Sequence, residues 1–196
     1  MSPDEDSYRA GNQGLGGSRL LVVHSGCSGG GKSSLLGELA TRGYPTFPEP
    51  GRQVVKEELS YGGDGLPWAN VGKFIELCIS RSLFFYRNAR PAGKPAFFDR
   101  SLVDAATAYR RAGLQEPPYI ASLLATYRYS PRVFLVPPWK ELFRPDEERR
   151  HHFEEAVREY EALLRDYPAL GYAVTIVPRG TVQDRADFIE AALESP

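Results

Sequence analysis

Apolar positions along this chain repeat with two different periods. Short apolar runs at Leu20–Ser25, Tyr44–Phe47, Pro95–Phe98, Arg132–Val136 and Tyr172–Val177 have the length and the β-branched or aromatic content of strands. Between them, apolar residues recur at i, i+3, i+4 and i+7. Val71, Phe74, Ile75 and Cys78 form one such stripe, Leu102, Ala105, Ala106 and Tyr109 a second, and Phe153, Ala156, Val157 and Tyr160 a third. Each predicts a helix that buries one face. The segment Ser33 to Arg42 carries Leu35, Leu36 and Leu39 and stops at Gly43, a residue suited to the left-handed turn after a helix. A last helix is expected from near Thr181, burying Val182, Ala186, Ile189 and Leu193. Alternation of strands with helices predicts an α/β fold, a five-stranded parallel sheet with helices on both faces.

Composition sets the scale of that fold. The chain has 196 residues and 42% hydrophobic content, which suits one domain with a full core. Residues 1–18 are polar and hold Pro3, Gly11, Gly14, Gly16 and Gly17, so a flexible tail is expected there, followed by a single domain over 19–196. The tail has no apolar core of a secretory signal, and no apolar stretch approaches the roughly 20 residues that span a bilayer, so no membrane partner is expected. With 24 Lys plus Arg against 25 Asp plus Glu there is no overall basic field, and no nucleic-acid partner is expected.

Two cysteines do not make a disulfide framework, which points to a reducing cytoplasm. Cys27 is read as a small filler, the alternative being a redox-sensitive thiol near a helix start. Cys78 is expected in the core. No metal-ligand spacing occurs, and His151 and His152 fall on neighbouring faces of a helix.

The strongest chemical signal lies between the first strand and the first helix. Residues 26 to 33 read GCSGGGKS and match G-x-x-x-x-G-K-[ST]. A phosphate needs several backbone N–H donors aimed at one point, which requires close backbone approach and positive φ, and Gly26, Gly29, Gly30 and Gly31 permit both. Cys27, Ser28 and Ser34 complete the cradle from Gly26 to Ser34. Lys32 would reach the β- and γ-phosphates, and the Ser33 hydroxyl would ligate Mg²⁺. The helix start adds its own N–H groups and partial positive charge. The bland alternative, a flexible glycine loop with a chance lysine, does not explain the flanking strand and helix.

Ligands in open α/β sheets collect at the carboxyl ends of strands. There Asp99 would hold the metal through water or orient an attacking hydroxyl, with Arg100 beside it on the substrate side. The alternative is that Asp99 or Ser101 merely caps the next helix. After the second strand, Glu49 would accept a proton from a substrate hydroxyl and Arg52 would bind an anionic group, unless this is a plain surface loop. The segment near 142–152 holds Arg144, Arg149 and Arg150, placed to close as a lid over a transferring phosphate. Its charge balance also suits a solvated helix start.

The strings GCSGGGKSS, Pro48-Glu-Pro-Gly-Arg-Gln-Val-Val55, Phe97-Phe-Asp-Arg-Ser-Leu-Val-Asp-Ala105, Val136-Pro-Pro-Trp-Lys-Glu-Leu-Phe-Arg144 and Asp146-Glu-Glu-Arg-Arg150 together resemble a known family. It is the small AAA-labelled P-loop family related to the ribosylnicotinamide kinase domain, and the resemblance runs over residues 20 to 193. It implies a three-layer P-loop NTPase fold of the nucleoside and nucleotide kinase type, with strand order 2-3-1-4-5. It also implies Asp99 near Mg²⁺ and substrate, Glu49 at a substrate hydroxyl, Arg144 to Arg150 as lid, and the loop Pro178 to Val182, with Arg179, at the adenine. The triple glycine at 29–31 departs from the single residue between two glycines usual in relatives, which bears on loop rigidity rather than on phosphate binding.

The expectation is therefore an ATP- and Mg²⁺-dependent phosphotransferase, monomer or homodimer, whose partners are nucleotide and a small-molecule acceptor of nucleoside-like kind. The alternative is a regulatory switch occupied by ATP or GTP, although no guanine-reading N-K-x-D string occurs. A switch would expose an apolar partner patch and a kinase would hold a closable pocket. Trp68, Phe74 and Tyr119 could serve either, with core packing as their bland reading. A remodelling ring ATPase is not expected, since the extra small helical domain is missing.

Overall fold

The computed structural model describes residues 20–91, 93–142 and 153–194. Its strands are β1 (Leu21–Gly26), β2 (Thr46–Phe47), β3 (Ala96–Asp99), β4 (Arg132–Val136) and β5 (Ala173–Ile176). All pairings are parallel, in the order β2-β3-β1-β4-β5. The expected tail, the lid arginines Arg144, Arg149 and Arg150, and His151 and His152 lie outside the described residues.

Side-chain alternation on the strands separates two cores. Val22, Phe97, Phe134 and Val136 face α1 (Lys32–Thr41) and α7 (Val182–Glu194), meeting Leu35, Leu36, Leu39, Ala186 and Ile189. Leu21, Val23, Phe98, Val133 and Leu135 face the other way, onto α3 (Val71–Asn88), α4 (Leu102–Arg111), α5 (Tyr119–Thr126) and α6 (Phe153–Ala169). The result is the expected three layers, because β1, β3 and β4 are apolar on both faces and each face needs cover.

Two helices escape the sequence pattern. Helix α2 (Pro50–Tyr61) begins at Pro-Gly, which reads as a turn, yet proline is accommodated at a first helical position and the helix ends on Gly62 at φ 73°. Glu49 and Arg52 thus stand at a helix start rather than on a surface loop. Helix α5 has only eight residues and buries just Ile120 and Leu124, too few for a periodic signal. The second strand shrinks to two residues, with Pro45 extending its pairing by accepting a bond from the Phe97 N–H. Cys78 is half-buried on α3 and lines a cavity instead of filling the core. Neither Trp68 nor Tyr119 is in the core, at 39% and 43% exposure, and Phe74 borders the same cavity as Cys78.

Candidate active site

Residues 26–33 turn from β1 into α1, and their glycines are fixed by geometry. Gly26 has φ 122°, and a Cβ there would stand 2.3 Å from the Val136 carbonyl oxygen. Gly30 has an ordinary φ but packs so closely on β4 that a Cβ would meet Val136 Cγ1 at 2.8 Å. Gly29 and Gly31 take φ of 81° and 77°, the left-handed region where glycine is unstrained. The triple glycine is therefore a tightly packed loop. Lys32 is 5% exposed and its Nζ donates to the Cys27 carbonyl at 2.9 Å, so the ammonium folds back inside the loop. Ser33 and Ser34 are exposed at the start of α1. Cys27 is fully buried and burial pushes its thiol pKa up, which opposes a reactive thiolate.

Asp99 ends β3, opposite His24 of β1, and is 2% exposed. The cap of α4 is Ser101, whose hydroxyl accepts from the Val103 N–H at 3.0 Å while Asp104 returns a bond to the Ser101 N–H. Asp99 has no such duty, and among the described residues its buried Oδ1 has no hydrogen-bond partner. Burial, opposed by Lys32 and assisted by Glu49, pushes its pKa up to about 7. His24 is buried with both ring nitrogens unpartnered, and burial, then Lys32 and Arg185, hold it well below its usual pKa.

Arg100 joins the loops together. It is the one non-glycine residue with positive φ among those described, at 73°, and this turn sends its side chain across the strand ends. Its Nε donates to Glu49 Oε1 at 2.9 Å and its guanidinium to Glu159 Oε1 of α6 at 2.8 Å. The other Glu159 oxygen accepts the Ser28 N–H at 3.0 Å. Burial would raise the Glu159 pKa, but the charges of Arg100, Lys32 and Arg111 outweigh it and hold the carboxylate below its ordinary range. Arg52 lies 3.8 Å from Glu49.

A cavity of about 430 Å³ opens from this cluster. Ser28, Glu49, Arg100 and Glu159 form its polar end, and Val55, Val71, Phe74, Ile75, Ala105 and Ala108 of α2, α3 and α4 form its apolar walls. Asp104 underlies it in a buried network with Ser25, Ser101 and Tyr167.

On the far side of the loop, Arg179 donates to the Pro138 carbonyl at 2.8 Å and its guanidinium sits 5.9 Å from the Trp139 ring centroid. Val182, half-buried, is the first residue of α7.

The structure thus brings Glu49, Arg52, Arg100 and Ser28 to one cavity and Lys32 to the interior of the loop beside Asp99. Two residues escaped the sequence reading. Glu159 sits three residues after Ala156, on the buried side of its helix. Arg185 occupies the apolar slot of Val182, Arg185, Ala186 and Ile189 at i, i+3, i+4, i+7. A charge in an apolar stripe was the available signal in both cases.

A glycine cradle at a strand-to-helix turn, on a parallel sheet in this order, defines a P-loop fold of the nucleoside and nucleotide kinase type. The sequence pattern of the family described as AAA domain matches residues 21–185, and the chain belongs to that family. No curated protein sequence matches the chain. Among solved structures it is similar to deoxyadenosine kinase from M. mycoides with bound dATP, with a TM-score of 0.60 and 17% identity over 89% of this chain and 100% of that one. It is also similar to the NadR protein in complex with NR, with a TM-score of 0.62 and 18% identity over 90% of this chain but 51% of that one, so it spans about half of NadR. Shikimate kinase from Acinetobacter baumannii gives a TM-score of 0.58 and 15% identity over 91% and 95% of the two chains. At the level of the fold the chain is similar to these P-loop kinases. Among the described residues no helix is long and apolar enough to cross a membrane.

Proposed function

We propose that the protein is an ATP-dependent small-molecule kinase, acting in the cytoplasm, that moves the γ-phosphoryl group of ATP to a hydroxyl of a nucleoside-like acceptor. The observation that carries this reading is the cavity of about 430 Å³ whose polar end shares Ser28 with the glycine loop. A switch needs no such chamber, and a volume in this range suits a small molecule with a polar and an apolar end.

In this reading the N–H groups of residues 26–34 cradle the triphosphate and Lys32 leaves the Cys27 carbonyl to meet it, its ammonium balancing charge that builds on the β- and γ-oxygens. Glu49 receives the proton of the acceptor hydroxyl as that oxygen bonds to the γ-phosphorus and the bond to the β-phosphate oxygen breaks, releasing ADP. Arg100 holds Glu49 and Glu159 on either side of the acceptor position, and Arg52 lies at the mouth for an anionic group. The residues present suit magnesium. Asp99 carries a buried oxygen without a partner beside the loop, Ser33 offers a hydroxyl, and Mg²⁺ commonly takes one or two protein oxygens with phosphates and water. Bound there, the ion would neutralise phosphate charge and bring Asp99 to its ionised form. Arg179 and Val182 flank the adenine position.

The test is ADP release with Mg²⁺ across nucleosides, nucleotides, sugars and aminoglycosides, with Lys32→Ala as control. An acceptor that stimulates turnover and gains the mass of one phosphate establishes the kinase. Tight nucleotide binding without stimulation by any acceptor would sink it in favour of the switch.

A further inference from the structure

Arg185 is an expensive residue to fold. It is 2% exposed on α7, and among the described residues the acceptor for its guanidinium is the Gly30 carbonyl, at 3.1 Å from its terminal nitrogen. Its Nε is buried with no hydrogen-bond partner among the described residues. No ion pair to a carboxylate is found for it among the described residues, and its near titratable neighbour, His24, is held neutral. A buried charge without a counter-charge is strongly disfavoured. Such a cost persists where something absent from the folded chain alone repays it.

Geometry identifies what that is. The guanidinium lies against Gly31 so closely that a Cβ there would be 2.9 Å from it. Across a trans peptide the carbonyl of Gly30 and the N–H of Gly31 point in opposite directions. By holding the Gly30 oxygen toward α7, Arg185 turns the Gly31 N–H away from α7, at the start of α1. A cation on the carbonyl also polarises the peptide, which makes that N–H a stronger donor.

We propose that Arg185 is a positioning residue for nucleotide phosphate: it sets the Gly30–Gly31 peptide so that its N–H meets the phosphate, and the bound anion supplies the counter-charge the guanidinium lacks among the described residues. This rests on the nucleotide reading of the loop. The ligand chemistry is a nucleoside di- or triphosphate.

The experiment compares wild type, Arg185→Met, Arg185→Lys and Ile189→Ala, the last a plain packing change one turn away on the same helix. ADP affinity is measured by calorimetry, and thermal midpoints are measured with and without ADP. A positioning arginine predicts opposite effects in the two measurements. Arg185→Met binds ADP about tenfold more weakly, the scale of one charge-assisted hydrogen bond. Its ligand-free midpoint stays equal or rises, because an uncompensated charge has been removed. Arg185→Lys recovers part of the affinity, and Ile189→Ala lowers the midpoint with unchanged affinity. If Arg185→Met binds ADP as wild type does, or loses ligand-free stability as Ile189→Ala does with affinity intact, Arg185 is a strut and the proposal is overturned. Should the methionine variant not fold, a folded Arg185→Lys decides alone: weaker ADP binding supports the proposal and wild-type binding overturns it. Wild type failing to bind ADP would overturn the nucleotide reading itself, an outcome distinct from any of these.

Discussion

Asp99, buried, and Glu159, half-buried, are two carboxylates near the same cations, held in opposite protonation tendencies by their surroundings. Glu159 accepts from Arg100 and from the Ser28 N–H, so its charged form is favoured, whereas Asp99 has a buried oxygen without a partner and its neutral form is favoured. The sign of the pH dependence follows. A carboxyl whose folded pKa lies above its unfolded value binds more protons in the native state, so its contribution to stability is present below the unfolded pKa and is lost as pH rises through the folded one. For Asp99, pushed up to about 7, that loss should run from about pH 4 to about pH 7. Asp99→Asn removes it. The stability of the variant relative to wild type, taken from urea midpoints of the ligand-free protein, should therefore climb by about 2–4 kcal/mol across that window. A flat difference would mean that Asp99 is ionised throughout. Glu159→Gln tests the opposite case. It removes the charge facing Arg100 at the junction of loop and cavity, and in the kinase reading it should lower kcat/KM for the acceptor by roughly tenfold or more while leaving ADP affinity nearly unchanged.

Elements carry these residues to one place, and the sequence made some elements far plainer than others. The strand before the glycine loop was legible as an unbroken apolar run because both its faces are covered, and the helix after it and α4 because each packs one face on the sheet and so repeats its apolar residues with a clean period. The start of α2 was not, since Pro50 and Gly51 are ordinary turn residues and only their fit as first-turn helical residues, beneath Phe74 of α3, makes them a wall of the cavity. A Cβ on Gly51 would stand 3.3 Å from Phe74 Cζ and 3.8 Å from Glu49 Oε1. Gly51→Val should narrow the chamber at that wall, raising the acceptor KM severalfold with ADP affinity unchanged, which steady-state kinetics beside calorimetry would show. At the start of α4, Ser101→Ala takes a cap from the helix and a partner from Asp104 and Tyr167. A loss of about 1–3 kcal/mol is expected in chemical denaturation, above the value for a cap alone. Glu159 lay beyond sequence reasoning for a different reason. Its meeting with Ser28 joins positions 131 residues apart, and the chain advertises it only as a charge on the wrong face of a helix.

The whole molecule places a packed core and a cavity on either side of one loop. The sheet puts the glycine cradle at the end of β1, α1 and α7 close one side with Arg185 behind Gly30, and α2, α3, α4 and α6 enclose the cavity on the other, with Ser28 belonging to both. Among the described residues the centre of this assembly is poor in balance: Lys32 is folded onto a carbonyl, Arg185 has no carboxylate partner, and Asp99 has an oxygen without a hydrogen-bond partner. A nucleotide with its metal would satisfy all three at once, so ligand binding should stabilise the entire domain and not only the loop. Linkage gives the size. A ligand at a hundred times its Kd adds about 2.7 kcal/mol, which for a domain of this length corresponds to a thermal shift of about 5–10 °C. Mg²⁺ with ADP should produce that shift in wild type, a clearly smaller one in Arg185→Met, and almost none in Lys32→Ala, in which the ammonium nearest the phosphates is gone. Because the two variants act on opposite sides of the cradle, one by direct charge and one through the Gly30–Gly31 peptide, equal shifts in wild type and both variants would show that phosphate is not bound at this loop.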